Sequence, residues 1–162
     1  MPLITVEGFR KDAFAALADD APLPEGAALV SLARFQAERD TLIGHNAALG
    51  VKLRSDESPE HLGQDVHRLC LVALEFPKFR DGRAFSWARQ LRTRFGFRGE
   101  IRAVGDFLYD QIAFQRRVGF SEWEVAESFT IEDLGRALSE IGNVFQPSAD
   151  GRKIIRELRM AD

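Results

Sequence analysis

Three basic side chains, Lys78, Arg80 and Arg83, stand close together in the sequence. An ammonium or guanidinium group binds sulfate, phosphate or a carboxylate, and arginine does so through two parallel hydrogen bonds. Asp81 lies among these residues, and Ser86 follows one turn later. The stretch therefore predicts a binding site for a small anion or for an acidic protein surface.

A second polar group contains Asp106, Asp110 and Gln111 and is preceded by Arg102. The spacing predicts a helix over residues 106–119, with Asp106 at its start. We expect this helix N-terminus to face the basic stretch, and we assign Arg102 to the same surface. A structural role is the alternative, because Asp106 suits a helix cap, Asp81-Gly82 suits a turn, and an Arg–Asp bridge between loops needs no ligand.

Each polar group follows a short apolar run that predicts a strand. The first run, residues 69–76, is almost continuously apolar, as in a strand covered on both faces, and the second spans residues 100–104. The carboxyl ends of parallel strands meet at one edge of a sheet, where α/β proteins bind ligands. We therefore expect both polar groups at that edge.

The rest of the chain repeats this alternation and predicts an α/β fold. It predicts a single domain of successive βα units with a mostly parallel sheet, partial-barrel-like or doubly wound. Segments 69–75, 101–104 and 123–125 are expected to be parallel neighbours. Further strands are predicted at residues 3–6, 28–33, 51–54 and 120–125. Helices are predicted at residues 39–49, 59–67 with Ser58 as cap, about 85–95, 131–141 with Thr130 as cap, and about 150–160, whereas residues 12–18 read as helix or irregular extension.

Length and composition suit one soluble domain. We divide residues 1–162 into an N-terminal strand and loop region (1–27), βα repeats (28–146) and a C-terminal helix (147–162). No apolar run approaches the roughly 20 residues that span a bilayer, and the N-terminus does not resemble an export signal, so we expect no membrane contact and a cytoplasmic location.

Metal and cofactor motifs are few in this sequence. The lone Cys70 excludes an internal disulfide and a thiolate zinc cage, and it is expected inside the central strand as a small core residue. The histidines His45, His61 and His67 do not cluster, so we predict no metal site. The sequence shows no dinucleotide-binding glycine motif and no phosphate-binding loop, so it identifies neither a cofactor nor catalytic residues.

Charge is uneven along the chain although the net charge is only −3. Residues 78–117 carry 10 basic and 4 acidic groups, while both flanking regions are acidic. This segment should create a local positive potential that attracts anions. The overall pI near 5.7 and the absence of a recognisable stacking module argue against nucleic acid as the partner.

One long motif in this segment resembles a known family. It reads Phe76-Pro77-Lys78-Phe79-x-Asp81-Gly82-Arg83-x-x-Ser86-x-Ala88-x-x-Leu91-Arg92-x-Arg94-x-Gly96-Phe97-x-Gly99-Glu100-x-Arg102-Ala103-x-Gly105-Asp106-x-x-x-Asp110-Gln111. The run resembles the bacterial domain-of-unknown-function family nine hundred and thirty-four, whose members are often labelled oxidoreductases probably involved in sulfite reduction. The resemblance implies a role in sulfur assimilation, with sulfite reductase or another enzyme of that process as partner.

Sulfite reduction needs a redox cofactor, because side chains alone cannot carry its six electrons. The chain has no cysteine set for an iron–sulfur cluster. We therefore predict an accessory protein of assimilatory sulfite (or nitrite) reduction that binds an anionic ligand or the reductase through its arginine-rich loops. The alternative is an oxidoreductase in its own right that binds a flavin or nicotinamide cofactor at those loops.

Overall fold

A computed structural model describes residues 1–139, 146–153, 155 and 156. Within these residues eight strands form one curled sheet, a half-barrel, in the order β2-β1-β8-β7-β6-β5-β4-β3. Strands β3 to β8 run parallel to one another, and β1 and β2 add an antiparallel hairpin beside β8. Their bounds are β1 Leu3–Thr5, β2 Gly8–Arg10, β3 Ala15–Ala16, β4 Ala28–Ser31, β5 Leu49–Leu53, β6 Leu71–Phe76, β7 Glu100–Gly105 and β8 Glu122–Glu124.

Four described α-helices lie between strands, namely α1 Leu32–Ala37, α2 Arg39–Ile43, α3 Arg83–Thr93 and α4 Ile112–Val118, and α5 Ile131–Ser139 follows β8. Two 3₁₀ segments, Pro59–Arg68 and Tyr109–Gln111, complete the connections. Ser58 caps the first of these by accepting the Glu60 amide, as predicted, and Gly63 kinks it at a φ of 55°. None of the helices in the described part is long and apolar enough to cross a membrane.

The main core lies between the sheet and the helices. Alternate residues of β6, namely Val72, Leu74 and Phe76, are fully buried in it beside Ala88 and Leu91 of α3. We call the opposite side of the sheet the inner face. It carries a smaller apolar cluster of Leu29, Leu71, Ala73 and Val104, with Phe14 packed against it. Both sides of the central strands are therefore covered, which explains their continuous hydrophobicity.

Residues 12–19, here called the strap, cross the inner face. Asp12 binds Arg102 of β7, β3 pairs with β4, and Asp19 accepts a hydrogen bond from Ser31 at the end of β4. Arg34 of α1 also donates to the carbonyl of Ala18 at 2.8 Å. The strap is thus extended, as one of the two predicted alternatives, and it is held at both ends by charged or polar side chains.

The predicted core of the sheet is confirmed. Strands β6, β7 and β8 are parallel neighbours, with Val72 opposite Ile101 and Ala103 opposite Trp123. The structure supports the partial-barrel alternative, and the strand predicted over residues 3–6 is present as β1. The helices predicted over residues 85–95 and 59–67 are also present, the second as a 3₁₀ segment.

Several local predictions are wrong. The strand expected over residues 28–33 ends at Ser31, and Leu32 already begins α1. The helix expected over residues 39–49 ends at Ile43, and Leu49 and Gly50 already belong to β5. A Cβ at Gly50 would lie 3.0 Å from Leu71 Cβ, so this glycine allows close strand packing instead of ending a helix. Cys70 precedes β6 and is exposed, whereas we expected it inside the strand.

The end of the chain is described only in part. Helix α5 is described to Ser139, and the predicted residues 140 and 141 of that helix lie outside the described residues. Most of the helix predicted over residues 150–160 also lies outside them, and residues 155 and 156 are helical.

Candidate functional site

The loops that follow β6 and β7 lie side by side at the carboxyl edge of the sheet. The Asp106 amide donates to the carbonyl of Phe76 at 2.7 Å. Gln111 joins the loops further out, because its amide nitrogen donates to the carbonyl of Phe79 at 3.1 Å while its amide oxygen accepts the Leu108 N–H. Parallel strand polarity thus brings the two predicted polar groups together.

Arg83 and Asp81 pair with each other. The Arg83 guanidinium donates to both carboxylate oxygens of Asp81, at 3.0 and 2.6 Å, and to the hydroxyl of Ser55 at 2.9 Å. The hydrogen bond from Arg83 is the main reason why the pKa of the Asp81 carboxyl lies well below its usual range. Trp87 of α3 also donates to the Ser55 carbonyl. Arg83 and Trp87 therefore join the start of α3 to the loop that follows β5.

Lys78 and Arg80 present the free positive charge of this edge. Both side chains are exposed, and Lys78 has no polar partner among the described residues. The Arg80 guanidinium lies over the Phe79 ring, 5.3 Å from its centroid. These two cations remain available to a ligand or partner, unlike Arg83.

The other polar residues of the predicted site are also exposed. Asp106, Asp110 and Ser86 have no side-chain hydrogen bond or ion pair within the described ranges. The carboxylates of Asp106 and Asp110 bring negative charge to the edge on which Lys78 and Arg80 lie. The edge is therefore mixed in charge, and its net potential is weaker than the sequence count of basic residues predicts.

Asp106 does not cap a helix, contrary to our expectation. The 3₁₀ segment begins at Tyr109, and the Leu108 amide at its start is satisfied by Gln111. Asp106 instead follows Gly105 in a bend, with its side chain in solvent. Gln111, and not Asp106, therefore accepts the backbone N–H at the start of this segment.

We expect Asp106→Ala to change the free energy of unfolding by less than about 0.5 kcal/mol, because an exposed side chain without a described partner contributes little. Urea denaturation of the variant and the wild type measures this. A loss above about 1 kcal/mol, which is typical of a lost helix cap, would contradict the assignment.

Arg102 does not reach the loop surface that we predicted for it. Its side chain is only 1% exposed and lies on the inner face. The guanidinium donates to both carboxylate oxygens of Asp12, at 2.7 and 2.9 Å, and to Glu122 of β8 at 3.1 Å. Burial alone would raise the pKa of the Asp12 carboxyl, but the hydrogen bond from Arg102 helps to hold it below its ordinary value. Arg102 therefore anchors the strap.

Exposed apolar side chains also lie on these two loops and on α4, and among them only Phe79 was indicated by the sequence. Phe79 and Tyr109 are each 37% exposed, and Leu108 and Phe114 are each 44% exposed. Large apolar side chains are mostly buried, so several exposed ones on two loops joined by Gln111 and on the adjacent α4 are informative. We call this set the loop surface: Lys78, Phe79, Arg80, Leu108, Tyr109 and Phe114.

Packing beneath the loop surface holds its rings in place. The ring centroid of Phe114 of α4 lies 5.3 Å from that of Phe85. The Phe85 centroid in turn lies 5.3 Å from that of the fully buried Phe76. Tyr109 stacks edge-on against Phe129 at 4.5 Å. The one signal in the sequence was Phe79 itself, an aromatic residue inside a polar turn.

The fold and this edge define a parallel α/β half-barrel with an aromatic and basic surface at the carboxyl ends of its strands. Residues 50–155 match the family model described as "Bacterial protein of unknown function (DUF934)", and the chain belongs to that family. No curated protein and no solved structure matches the chain. The match confirms the family that the Phe76 to Gln111 motif resembles.

Proposed function

We propose that this chain is an accessory protein of assimilatory sulfite (or nitrite) reduction that binds the reductase through the loop surface. The carrying observation is that the exposed Phe79, flanked by the free cations Lys78 and Arg80, lies on a loop that the Gln111 side chain joins to the loop of the exposed Leu108 and Tyr109. Aromatic residues with arginine are the composition of protein–protein hot spots. The link to sulfite reduction rests on the label that members of the resembled family often carry.

A protein partner fits this surface better than a free anion does. An ion pair made by an exposed lysine or arginine is worth about 0–1 kcal/mol, since water and salt compete with it. Burial of Phe79, Tyr109 and Phe114 against a partner contributes more binding free energy than such an ion pair does. Arg80 already lies over the Phe79 ring. A reductase face with an apolar centre and a carboxylate opposite Arg80 would use both features.

Phe79→Ala and Arg80→Gln should each weaken binding to the purified assimilatory sulfite reductase of the organism that encodes this chain. Measured by biolayer interferometry at low salt, Phe79→Ala should raise the Kd at least tenfold, equivalent to about 1.4 kcal/mol, and Arg80→Gln should raise it roughly two- to fivefold, within about 1 kcal/mol. The Arg80→Gln deficit should shrink as salt rises, because screening weakens the wild-type ion pair, whereas the Phe79→Ala deficit should persist.

Arg89→Gln is the matched control, because Arg89 is exposed on α3 and its side chain has no polar partner among the described residues. It should bind like the wild type. Absence of binding by the wild-type chain, or equal affinities for all three variants, would reject the proposal. Visible absorbance of the purified chain would instead favour the flavin alternative.

A further inference from the structure

A separate cavity of about 250 Å³ opens at the carboxyl ends of β4, β5 and β6 on the inner face. Ligand sites of α/β barrels and open sheets lie at this end of the strands. The loop surface contributes none of the residues around the cavity. Its polar lining is Asp19, Ser31, Lys52, Arg54, Glu57 and Glu75.

The cations Lys52 and Arg54 lie between Asp19 on the β4 side and Glu75 on the β6 side, and Glu57, which pairs with Arg54, adds a third carboxylate to the lining. Lys52 lies near the end of β5 and Arg54 directly follows the strand, and both side chains line the cavity. On the β6 side, the Lys52 ammonium donates to Glu75 at 2.7 Å. On the β4 side, the hydroxyl of Ser31 holds the Asp19 carboxylate at 2.6 Å.

These groups retain hydrogen-bonding capacity toward the cavity. An ammonium has three donors and a carboxylate about four acceptor positions, so the described bond between Lys52 and Glu75 uses a small part of either. Lys52 is 42% exposed and Glu75 is 28% exposed, which leaves their remaining donors and acceptors open to solvent. Arg54 pairs with Glu57 at 3.0 Å and is 66% exposed.

The charge order restricts which ligands fit. A simple anion attracted by Lys52 and Arg54 would also meet the carboxylates of Asp19, Glu57 and Glu75, which line the same cavity. A simple cation would meet Lys52 and Arg54. A molecule with opposite charges a few ångströms apart avoids both repulsions, and 250 Å³ is below the usual range for drug-sized ligands, about 300–1,000 Å³.

We propose that this cavity, the strand-end cleft, binds a small zwitterion of the α-amino acid type. Its carboxylate pairs with Lys52 and Arg54, and its ammonium group donates to Glu75. This site is independent of the loop surface and of the proposed role in sulfite reduction.

Calorimetric titration with glycine, L-alanine and L-serine tests the ligand class. At least one of these zwitterions should bind with a Kd of millimolar or lower. Glycerate, which replaces the ammonium of serine by a hydroxyl, and ethanolamine, which lacks the carboxylate, should bind at least tenfold more weakly than L-serine. Absence of binding by all three amino acids, or equal affinity for the singly charged analogues, would overturn the proposal.

Two variants test the residues. Lys52→Met and Glu75→Gln should each raise the Kd of the best-binding amino acid at least tenfold and leave binding to sulfite reductase unchanged. Arg94→Gln removes an exposed ion pair with Glu60 outside the cleft and should have no effect. Circular dichroism checks folding, and Glu75→Gln, which keeps the side-chain shape, decides if Lys52→Met fails to fold. Wild-type affinity in the folded variants would show that the cleft is not the site.

Discussion

Arg102→Gln is expected to lower the free energy of unfolding by about 3–5 kcal/mol, the usual cost of removing one partner from a buried ion pair. Glu122 is only 3% exposed, and after the substitution it would keep Arg10, itself 52% exposed, as its described ion-pair partner. Asp12 would lose both of its bonds to the guanidinium, so the strap would lose its anchor on β7. Urea denaturation followed by tryptophan fluorescence measures the loss.

Arg83→Gln provides the control, because Arg83 also makes a two-pronged pair with an aspartate but is 53% exposed. We expect that variant to lose less than about 1 kcal/mol. The double variant Arg102→Met with Glu122→Gln should recover part of the stability, since it also removes the buried carboxylate charge of Glu122, which the half-exposed Arg10 compensates only in part. Equal losses for Arg102→Gln and Arg83→Gln would contradict the buried role of Arg102.

The contrast between these two arginines shows what the sequence could reveal. The strands were predictable because residues 69–76 are apolar on both faces and the polypeptide alternates strand and helix at short intervals. The position of the strap could not be predicted, because the hydrogen bonds that fix it join Asp12 to Arg102, 90 positions apart. Arg102 alternates with the buried Ile101 and Ala103, so it had to lie on the inner face, away from the loops.

The candidate site was predictable to a similar extent. Strand polarity places the loop that carries Lys78 and Arg80 next to the loop that carries Asp106, because that argument needs only the direction of β6 and β7. The hydrogen bonds of Arg83 could not be predicted from the sequence, since its side chain could equally have faced solvent and its partner Ser55 is 28 positions away. The exposure of Phe114 could not be predicted either. The sequence predicts a helix that starts at Asp106, whereas α4 begins only after Gln111.

The strand-end cleft escaped detection for another reason. Lys52, Arg54 and Glu75 lie at the ends of strands, where an isolated charge usually indicates a boundary with solvent. Their arrangement into a cavity depends on the order of β4, β5 and β6, and Asp19 joins them only through the strap. Local pattern therefore predicts the elements, whereas the charge order of the cleft requires the topology.

Gly105→Ala is expected to cost about 2–4 kcal/mol, because two effects combine at this position. Its φ of 95° disfavours any residue with a side chain, and a Cβ there would overlap the carbonyl oxygen of Phe76 and lie 3.2 Å from its carbonyl carbon. The same carbonyl accepts the Asp106 amide, so the two loops would have to separate. Binding to the reductase should therefore weaken together with stability.

Two other glycines separate these causes. Gly96 has a φ of 62° with no atom within 4 Å of an added Cβ, so Gly96→Ala should cost only about 1 kcal/mol from backbone strain. Gly82 has a φ of −85°, and its nearest neighbour would lie 3.9 Å away, so Gly82→Ala should be neutral or stabilising by up to about 1 kcal/mol. Thermal and urea unfolding of the three variants should rank them Gly105, Gly96, Gly82 in order of loss. A Gly105→Ala loss no larger than that of Gly96→Ala would show that the loops can move apart freely, and the carboxyl edge would then not be a rigid surface.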